Sequence, residues 1–380
     1  MSKLTIGYDA KRIVSNNTGL GSYARTLVSS LSAVVDSDWS LRLYAPNKGR
    51  DELRQQVKET PNMKFVYPLR ARTRLACDYW RTRGIVKEML ADGVNVYHGL
   101  SGELPMGIRK SGIRSVVTIH DLIFMRHPEY YNPIDVWIYK RKFHATCREA
   151  DRIIAISECT KRDIVELGRV NPDKIDVIYQ SFGSQFLRRV SDNEMQTVHA
   201  LYNLPPRFVL TVGTVEQRKN ALLAVKAMEL LPEELSLVII GRHTPYTKEI
   251  IKYVKTHNLS DRVMLLNHVP YEHLPAIYQA AEVFAYPSRY EGFGIPIIEA
   301  IQSGLPVVAC NGSCLEEAGG PHNIYTDPDD TEAFTKGIMS SLQESDGRDE
   351  RIEQSQEYIR RFEGSDVASQ VVDIYKSLTE

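Results

Sequence analysis

The sequence lacks the features that mark membrane-spanning, secreted or nucleic-acid-binding proteins. No apolar run in its 380 residues approaches the roughly 18 residues of a membrane-spanning helix. The opening MSKLTIGYDA enters a strand directly and does not resemble a signal peptide. The net charge of −1 gives no electrostatic reason to expect a nucleic-acid partner. The five cysteines form no CxxC pair, and unclustered thiols suit a reducing cytoplasm, where we expect the protein.

Convincing metal ligands are also scarce. The triplets Asp36-Ser-Asp38 and Asp327-Pro-Asp329 contain paired carboxylates. The first ends a predicted helix, whereas the second precedes a helix and is typical of turn and cap chemistry. We therefore expect no metal and no other cofactor.

Short apolar runs alternate with helical stretches along the whole chain, which predicts an α/β fold. Several runs are continuously apolar, as in parallel sheets covered on both faces. The length suggests two domains. The predicted strands are 4–10, 40–46, 63–68, 94–100, 115–121, 152–157, 175–180, 208–214, 235–241, 262–267, 283–288, 306–310 and 323–327. We expect two doubly wound, Rossmann-like domains that face each other across a cleft, with ligands beyond the carboxyl ends of the strands.

The stretch VFAYPSRYEGFGIPIIEAIQSG, residues 283–304, combines a strand, a glycine-bearing turn and a helix. Pro296 suits the first turn of that helix, and Gly304 suits its end. Backbone N–H groups at such a turn favour phosphate. The carboxylates of Glu291 and Glu299 instead suit hydroxyl donors, so the whole stretch predicts a nucleotide-sugar site. Two solvated glutamates beside an ordinary turn are the alternative.

The spacing Glu291-x7-Glu299 within EGFGIPIIEA resembles the signature of retaining glycosyltransferases of family 4, which have the GT-B fold. The resemblance implies that Glu291 contacts the donor sugar and that Glu299 holds the ribose. It also implies that the intervening amides of Gly292, Phe293, Gly294 and Ile295 touch the sugar and the diphosphate. By the same resemblance, residues 1–184 form an acceptor-side domain completed by a crossover helix at 364–380, and residues 185–363 bind the nucleotide sugar.

A second match lies at the end of the strand 208–214. Gly213 ends the strand, and Glu216-Gln-Arg218-Lys219-Asn220 matches the family pattern E-x-R-K-N. Adjacent cations at a helix start are unfavourable unless an anion is bound. The resemblance assigns Arg218 and Lys219 to the diphosphate, as catalytic groups that stabilise the leaving charge. A solvated basic turn is the alternative.

Matches in the first half are looser. Gly19 and Gly21 lie in a turn that the resemblance places against the donor phosphates and the acceptor. A GxG pattern alone is weak evidence for a phosphate site, and a dinucleotide site is the alternative. His120 closes a strand, and the resemblance assigns it to the donor sugar near the reacting carbon; a structural histidine is the alternative. Ser157 is expected to cap the helix that follows, and Thr160 and Lys161 at its start are candidates to face the cleft.

Other stretches support weaker predictions. CNGSCLEEAGG, residues 310–320, resembles a further family motif but has Glu316 where that motif has proline, so Ser313 and Glu317 receive no role. The backbone near Gly241 and residues 267–269 is expected beside the base. Residues 69–88 hold five arginines and one lysine against one aspartate and one glutamate. This excess of positive charge, together with Tyr79 and Trp80, indicates either a peripheral contact with anionic lipid or a solvated basic face.

The sequence therefore predicts a retaining, metal-independent hexosyltransferase of polysaccharide assembly. Overall resemblance to bacterial mannosyltransferases favours GDP-mannose as donor, with a glycan or a lipid-linked sugar as acceptor. A UDP-sugar donor is the first alternative. A nucleotide-sugar epimerase would consume donor without an acceptor, and a non-catalytic binding subunit would bind donor without turnover.

Overall fold

The computed structural model describes residues 3–69, 73–362 and 367–380. The chain forms two compact units, one from residues 1–180 with 366–380 and the other from 181–365. Both are layers of helices on a parallel sheet. None of the helices in the described ranges has the length and apolar character that crossing a membrane requires.

The strands follow the alternating pattern of the sequence. They are β1 Thr5–Asp9, β2 Ser40–Tyr44, β3 Met63–Val66, β4 Val96–Gly99, β5 Arg114–Ile119, β6 Arg152–Ala155, β7 Ile175–Val177, β8 Phe208–Val212, β9 Ser236–Ile240, β10 Val263–Leu266, β11 Val283–Tyr286, β12 Val307–Cys310 and β13 Ile324–Thr326. Each predicted strand is present, and most predictions run up to three residues too far at the carboxyl end.

The helices occupy the stretches between the strands. They are α1 Lys11–Ser15, α2 Gly19–Val34, α3 Asp51–Arg54, α4 Arg74–Tyr79, α5 Ile85–Ala91, α6 Ile108–Ser111, α7 Ile123–Arg126, α8 Pro133–Glu149, α9 Glu158–Gly168, α10 Asp192–Tyr202, α11 Ala221–Ala227, α12 Thr247–Thr256, α13 Leu274–Ala280, α14 Ile295–Gln302, α15 Leu315–Gly319, α16 Thr331–Met339, α17 Arg348–Ile359 and α18 Val367–Thr379. A π-helical turn, Trp80–Gly84, joins α4 to α5, and 3₁₀ turns include Ser184–Leu187, Gln217–Lys219 and Tyr271–His273.

Both sheets are doubly wound, which confirms the predicted fold class. In the described residues the first sheet has the order β3-β2-β1-β4-β5-β6-β7, and the second has β10-β9-β8-β11-β12-β13. The strand order reverses between β1 and β4 in the first unit and between β8 and β11 in the second. Crevices at such reversals are where ligands bind in open parallel sheets. The chain segments after β8 and β11 are therefore the first place to look for a site.

The last helix belongs to the first unit. Helix α18 packs on α2, and the Tyr375 hydroxyl lies 2.6 Å from Nδ1 of the buried His98. The first three residues of the predicted crossover helix, 364–366, lie outside the described residues.

The basic stretch 69–88 differs from the expected interfacial helix. Trp80 is buried against Tyr44, Ile85 and Met89 in the first unit's core. Arg81 is also largely buried, because it pairs with Glu103 and lies 3.7 Å from Asp9. Neither Trp80 nor Arg81 is available to a lipid surface, so the expected contribution of Trp80 is wrong. Contact of the segment with a membrane stays a prediction.

Candidate active site

Two loops meet at the strand reversal of the second unit. The first follows β8 and carries residues 213–220, and the second follows β11 and carries residues 287–294. Their backbones are joined, because the Arg289 N–H donates to the Arg218 carbonyl at 2.9 Å. Adjacent parallel strands thus bring together two motifs that are about 70 residues apart in the sequence.

Glycine is required where the first loop leaves the sheet. Gly213 has a φ of 151°, in a region that favours glycine. A Cβ on Gly241, at the end of the neighbouring β9, would lie 1.7 Å from the Gly213 carbonyl oxygen. Gly213, predicted as a contact residue, therefore allows β8 and β9 to pack closely. It also lies under the side chain of Lys219, because a Cβ on Gly213 would be 3.5 Å from Lys219 Cδ.

The Glu291 carboxylate is the centre of a cluster formed with Glu216, Arg218, Lys219, Tyr286 and Ser288, here called the Glu291 cluster. Lys219 Nζ lies 2.5 Å from Glu291 Oε1, and Arg218 Nη1 lies 2.8 Å from Glu291 Oε2. The Ser288 and Tyr286 hydroxyls donate to Oε1 at 2.6 and 3.2 Å. The sequence predicted three of these residues as site residues, but it did not predict that they bind one another.

The cluster keeps Glu291 ionised although the side chain is buried. Burial alone would raise its pKa, but Lys219 and Arg218 outweigh burial and lower the pKa to about 2. Glu216 adds a second carboxylate, 2.7 Å from Arg218 Nη2. Two carboxylates therefore balance the two cations of the cluster.

Arg218 and Lys219 differ in what they can still bind. Both terminal nitrogens of Arg218 have protein acceptors, which are Glu291 and the Tyr290 carbonyl for Nη1 and Glu216 for Nη2. Lys219 Nζ contacts Glu291 and, at 2.7 Å, the Tyr286 hydroxyl. An ammonium has three donors, and these two contacts use two of them. Lys219 Nζ can therefore donate to a further, anionic partner. Arg218 instead braces the two loops.

Helix α14 begins at the end of the second loop. Gly294 precedes it with extended backbone, and its carbonyl accepts from Ile297 N at 2.9 Å. Phe293 is buried against Phe362. The buried Cys314 thiol donates to the carbonyls of Phe293 and Glu291, at 2.5 and 3.2 Å. Cys314, which the sequence did not mark as part of the site, thus holds the predicted segment Gly292–Ile295.

Glu299 lies on α14 in surroundings unlike those of Glu291. Tyr271 Oη donates to its Oε1 at 2.6 Å, and Tyr278 Oη donates to its Oε2 at 3.3 Å. Burial raises the Glu299 pKa to about 7, against the opposing effect of the two tyrosine hydroxyls. We call Glu299, Tyr271 and Tyr278, with the packed Phe186, the Glu299 cluster. Two buried carboxylates of one site are thus held at very different pKa values.

The aspartates of the second triplet, Asp327 and Asp329, have other partners. Asp329 pairs with Arg289, and its N–H donates to Asp327 Oδ1 at 2.8 Å. The next residue, Asp330, caps α16. Within the described ranges no three His, Cys, Asp or Glu side chains are grouped as a metal ion would require.

In the first unit, His120 follows β5 and has partners on both ring nitrogens. Nε2 lies 3.0 Å from the Leu100 carbonyl, and Nδ1 lies 3.0 Å from the Gln180 amide nitrogen. A carbonyl only accepts, so Nε2 carries the proton and Nδ1 accepts. Burial lowers the His120 pKa to about 4, which keeps the ring neutral. The Tyr23 ring packs edge-on against it at 4.7 Å.

Local structure explains the predicted positions Ser157 and Gly21, but not Gly19. The Ser157 hydroxyl accepts from Thr160 N at 3.0 Å, which confirms the cap of α9, and Thr160 Oγ1 donates to the His120 carbonyl. A Cβ on Gly21 would lie 1.9 Å from the Asn16 carbonyl oxygen, whereas a Cβ on Gly19 would meet no atom within 4 Å. The Gly21 N–H is taken by the Thr18 carbonyl at 2.9 Å.

The chain is similar to known proteins in both of its halves. The family described as "Glycosyl transferases group 1" matches residues 196–358, and that described as "Glycosyltransferase Family 4" matches residues 17–181. The chain is 30% identical, over 288 residues, to "O-antigen chain mannosyltransferase B" of Escherichia coli, with 74% of each chain covered.

Solved structures share the fold across the whole chain. Sucrose-phosphate synthase of Thermosynechococcus elongatus superposes with a TM-score of 0.77 at 20% identity, covering 99% of each chain. Anabaena Alr3699/HepE, in complex with UDP and glucose, gives a TM-score of 0.76 at 17% identity, covering 98% of this chain and 100% of the other.

Proposed function

This chain belongs to the group 1 and family 4 glycosyltransferases, and from that premise we propose a retaining mannosyltransferase that uses GDP-mannose. The acceptor would be a glycan or a lipid-linked sugar. The donor sugar is taken from the similarity to an O-antigen mannosyltransferase. Retention, the nucleotide base and the acceptor class are parts of the proposal.

The observation that carries the proposal is the Lys219–Glu291 contact at the β8–β11 reversal. One carboxylate stays ionised there beside an ammonium with a remaining donor. We assign Lys219 to the diphosphate, because fixed positive charge stabilises a leaving group on which negative charge develops. Glu291 accepts from the sugar hydroxyls. Arg218 positions both loops and adds charge.

Glu299 and His120 complete the assignment. Glu299 accepts from the ribose hydroxyls once it is ionised, and the backbone of Gly292–Ile295 binds the sugar and the diphosphate. His120 is assigned to the donor sugar from the family motif; as a neutral ring it orients rather than protonates. Gly19, Gly21 and Gly213 shape the turns. No cofactor takes part in this scheme.

The test begins with calorimetric titration of the protein with GDP, UDP and ADP, which identifies the base. GDP-mannose is then incubated with candidate lipid-linked and free glycans, and the anomeric configuration of the first product is read by NMR. GDP binding and α-linked product would support the proposal. Release of mannose epimers without an acceptor would indicate an epimerase, and binding without turnover on any acceptor would indicate a binding subunit.

A UDP-sugar is the second candidate donor. It is favoured by the fold shared with a protein solved in complex with UDP and glucose. Tighter binding of UDP than of GDP would replace the first proposal by this one. A cytoplasmic location remains part of the proposal, supported by the odd number and the unclustered spacing of the five cysteines.

A further inference from the structure

The side chain that contacts the Glu299 carboxyl most closely is a tyrosine that the family motifs do not include. Tyr271 lies in the turn Tyr271–His273 before α13, and its hydroxyl is 2.6 Å from Glu299 Oε1. Tyr271 as a whole is 45% exposed, while its hydroxyl reaches the buried Glu299 carboxyl. Tyr278, the other donor, is fully buried and more distant, at 3.3 Å.

The tyrosine is held in place by its own unit. Phe186, in the turn Ser184–Leu187, packs edge-on against the rings of Tyr271 and Tyr278 at 5.7 and 5.5 Å. Phe186 is almost completely buried. Losing the Tyr271 hydroxyl would therefore leave the ring where it is, because phenylalanine keeps every apolar contact.

We propose that Tyr271 is a positioning residue for nucleotide binding, which holds Glu299 ionised and aimed at the ribose. The inference rests on the proposed function, because it deepens the ribose assignment of Glu299. A carboxylate oxygen has two lone pairs, so Oε1 can accept from Tyr271 and from a ribose hydroxyl together. A protonated carboxyl would instead present a proton to one of these donors.

The surroundings of Glu299 make it sensitive to this one donor. Among the described elements packed on α14, the titratable groups acting on its carboxyl are Tyr271 and Tyr278. Tyr286 at the end of β11 acts on Tyr278, and the turn Ser184–Leu187 contributes no titratable side chain. Hydrogen bonds to the charged form favour that form. Removing the Tyr271 hydroxyl therefore raises the Glu299 pKa above its value of about 7.

The test compares Tyr271→Phe with the unaltered protein by calorimetric titration with GDP, and with UDP in parallel, from about pH 5.5 to about pH 8.5. Affinity of the unaltered protein should rise through neutral pH as Glu299 ionises. A rise of about one unit in the Glu299 pKa would lower the ionised fraction at pH 7 from one half to about one eleventh. We expect about fivefold weaker binding at pH 7 and convergence of the two curves at the alkaline end.

Two variants serve as controls. The nucleotide's own terminal phosphate titrates near pH 6, so the profile of Glu299→Gln is subtracted. Tyr253→Phe removes a tyrosine hydroxyl that donates to Glu229 on the surface of the same unit, and it should leave affinity unchanged at every pH. Thermal unfolding of Tyr271→Phe checks that the fold is intact.

The outcomes separate the two levels of inference. A Tyr271→Phe profile that matches the unaltered one overturns the positioning role, and one that is weaker by the same factor at every pH overturns the effect of Tyr271 on ionisation. In both cases a Glu299→Gln profile that keeps only the phosphate titration near pH 6 leaves the ribose assignment standing. If Glu299→Gln keeps the normal pH profile, or if neither nucleotide binds, the ribose assignment fails and the role of Tyr271 fails with it.

Discussion

At the scale of single residues, the site contains two glutamates with opposite electrostatic surroundings. Glu291 has two cations within 2.8 Å, whereas Glu299 has two phenols and an apolar environment. Their pKa values, about 2 and about 7, follow from that difference. The two groups should therefore affect stability in opposite directions as pH changes.

We expect Glu299→Gln to stabilise the protein above neutral pH. The folded pKa of Glu299, about 7, lies above the ordinary 4.5. The folded state thus binds the extra proton, and its stability falls as pH rises from 4.5 to 7. A shift of this size corresponds to about 3 kcal/mol. Urea unfolding at pH 5 and pH 8 should show the gain at pH 8 alone, with Glu353→Gln at an exposed position of α17 as control. An equal gain at both pH values would contradict the stated pKa.

We expect Lys219→Met and Arg218→Met to fail in different ways. Lys219→Met removes the donor assigned to the diphosphate, so turnover should fall about 100- to 1000-fold. Stability should fall too, but by less than in Arg218→Met, because Glu291 loses its nearest cation and keeps Arg218. Arg218→Met removes the brace to Tyr290 and leaves Glu216 and Glu291 with fewer partners. It should lower the unfolding free energy by on the order of 2 kcal/mol as well. Steady-state kinetics beside urea unfolding separates the effects, and identical stabilities would refute the bracing role.

At the scale of elements, the basic segment shows where sequence periodicity fails. Trp80, Ile85 and Met89 are buried together, and the first two are five residues apart rather than three or four. The π-helical turn Trp80–Gly84 supplies that spacing, because its bonds join residues five apart. A pattern read with the α-helical period places Trp80 on the solvent side. No local residue signals the π turn, so the sequence could not predict it.

A membrane contact through this segment has to use other side chains. Leu75, Tyr79 and Arg83 are exposed, while Arg70 and Arg72 lie outside the described residues. We expect Leu75→Ser with Tyr79→Ser to reduce binding to anionic liposomes, since apolar insertion would be lost. Arg83→Ser should weaken binding mainly at low salt. Sedimentation with vesicles containing phosphatidylserine measures both. If the unaltered protein does not sediment at low salt, the segment is a solvated basic face.

At the scale of the whole molecule, the fold could be predicted because each strand is a local apolar run. The motif residues Lys219, Glu291 and Glu299 were also recognisable, since each belongs to a short spaced pattern. The contacts between these residues could not be recognised from the sequence. The Glu291 cluster forms because β8 lies beside β11, and that depends on the order of the strands in the sheet. Tyr271 belongs to no motif, and Cys314 stands at a variable position of the weaker motif in residues 310–320. Only the packing of α13, α14 and α15 on the sheet brings them to the glutamates.

At the same scale, the residues around the leaving nucleoside diphosphate decide whether a metal ion is needed. Negative charge builds on the nucleoside diphosphate as the sugar bond breaks, and it has to be neutralised. Asp327 and Asp329 are committed to a turn and to Arg289, whereas Lys219 and the start of α14 supply fixed positive groups in the second unit. We therefore expect transfer to continue in excess EDTA, with turnover within about twofold of the untreated enzyme, since one donor of this kind supplies a factor of about 100 to 1000.

The control for that experiment is Lys219→Met assayed with and without added magnesium or manganese. If the fixed charge does the neutralising, added metal restores little of the lost turnover, because the described residues contain no group of three ligands that would hold the ion. Loss of wild-type activity in EDTA, with recovery on adding either metal, would refute the metal-independent scheme. Asp329→Asn with Asp327→Asn would then be the next variant, because those carboxylates would have to leave Arg289 and the turn to bind the ion.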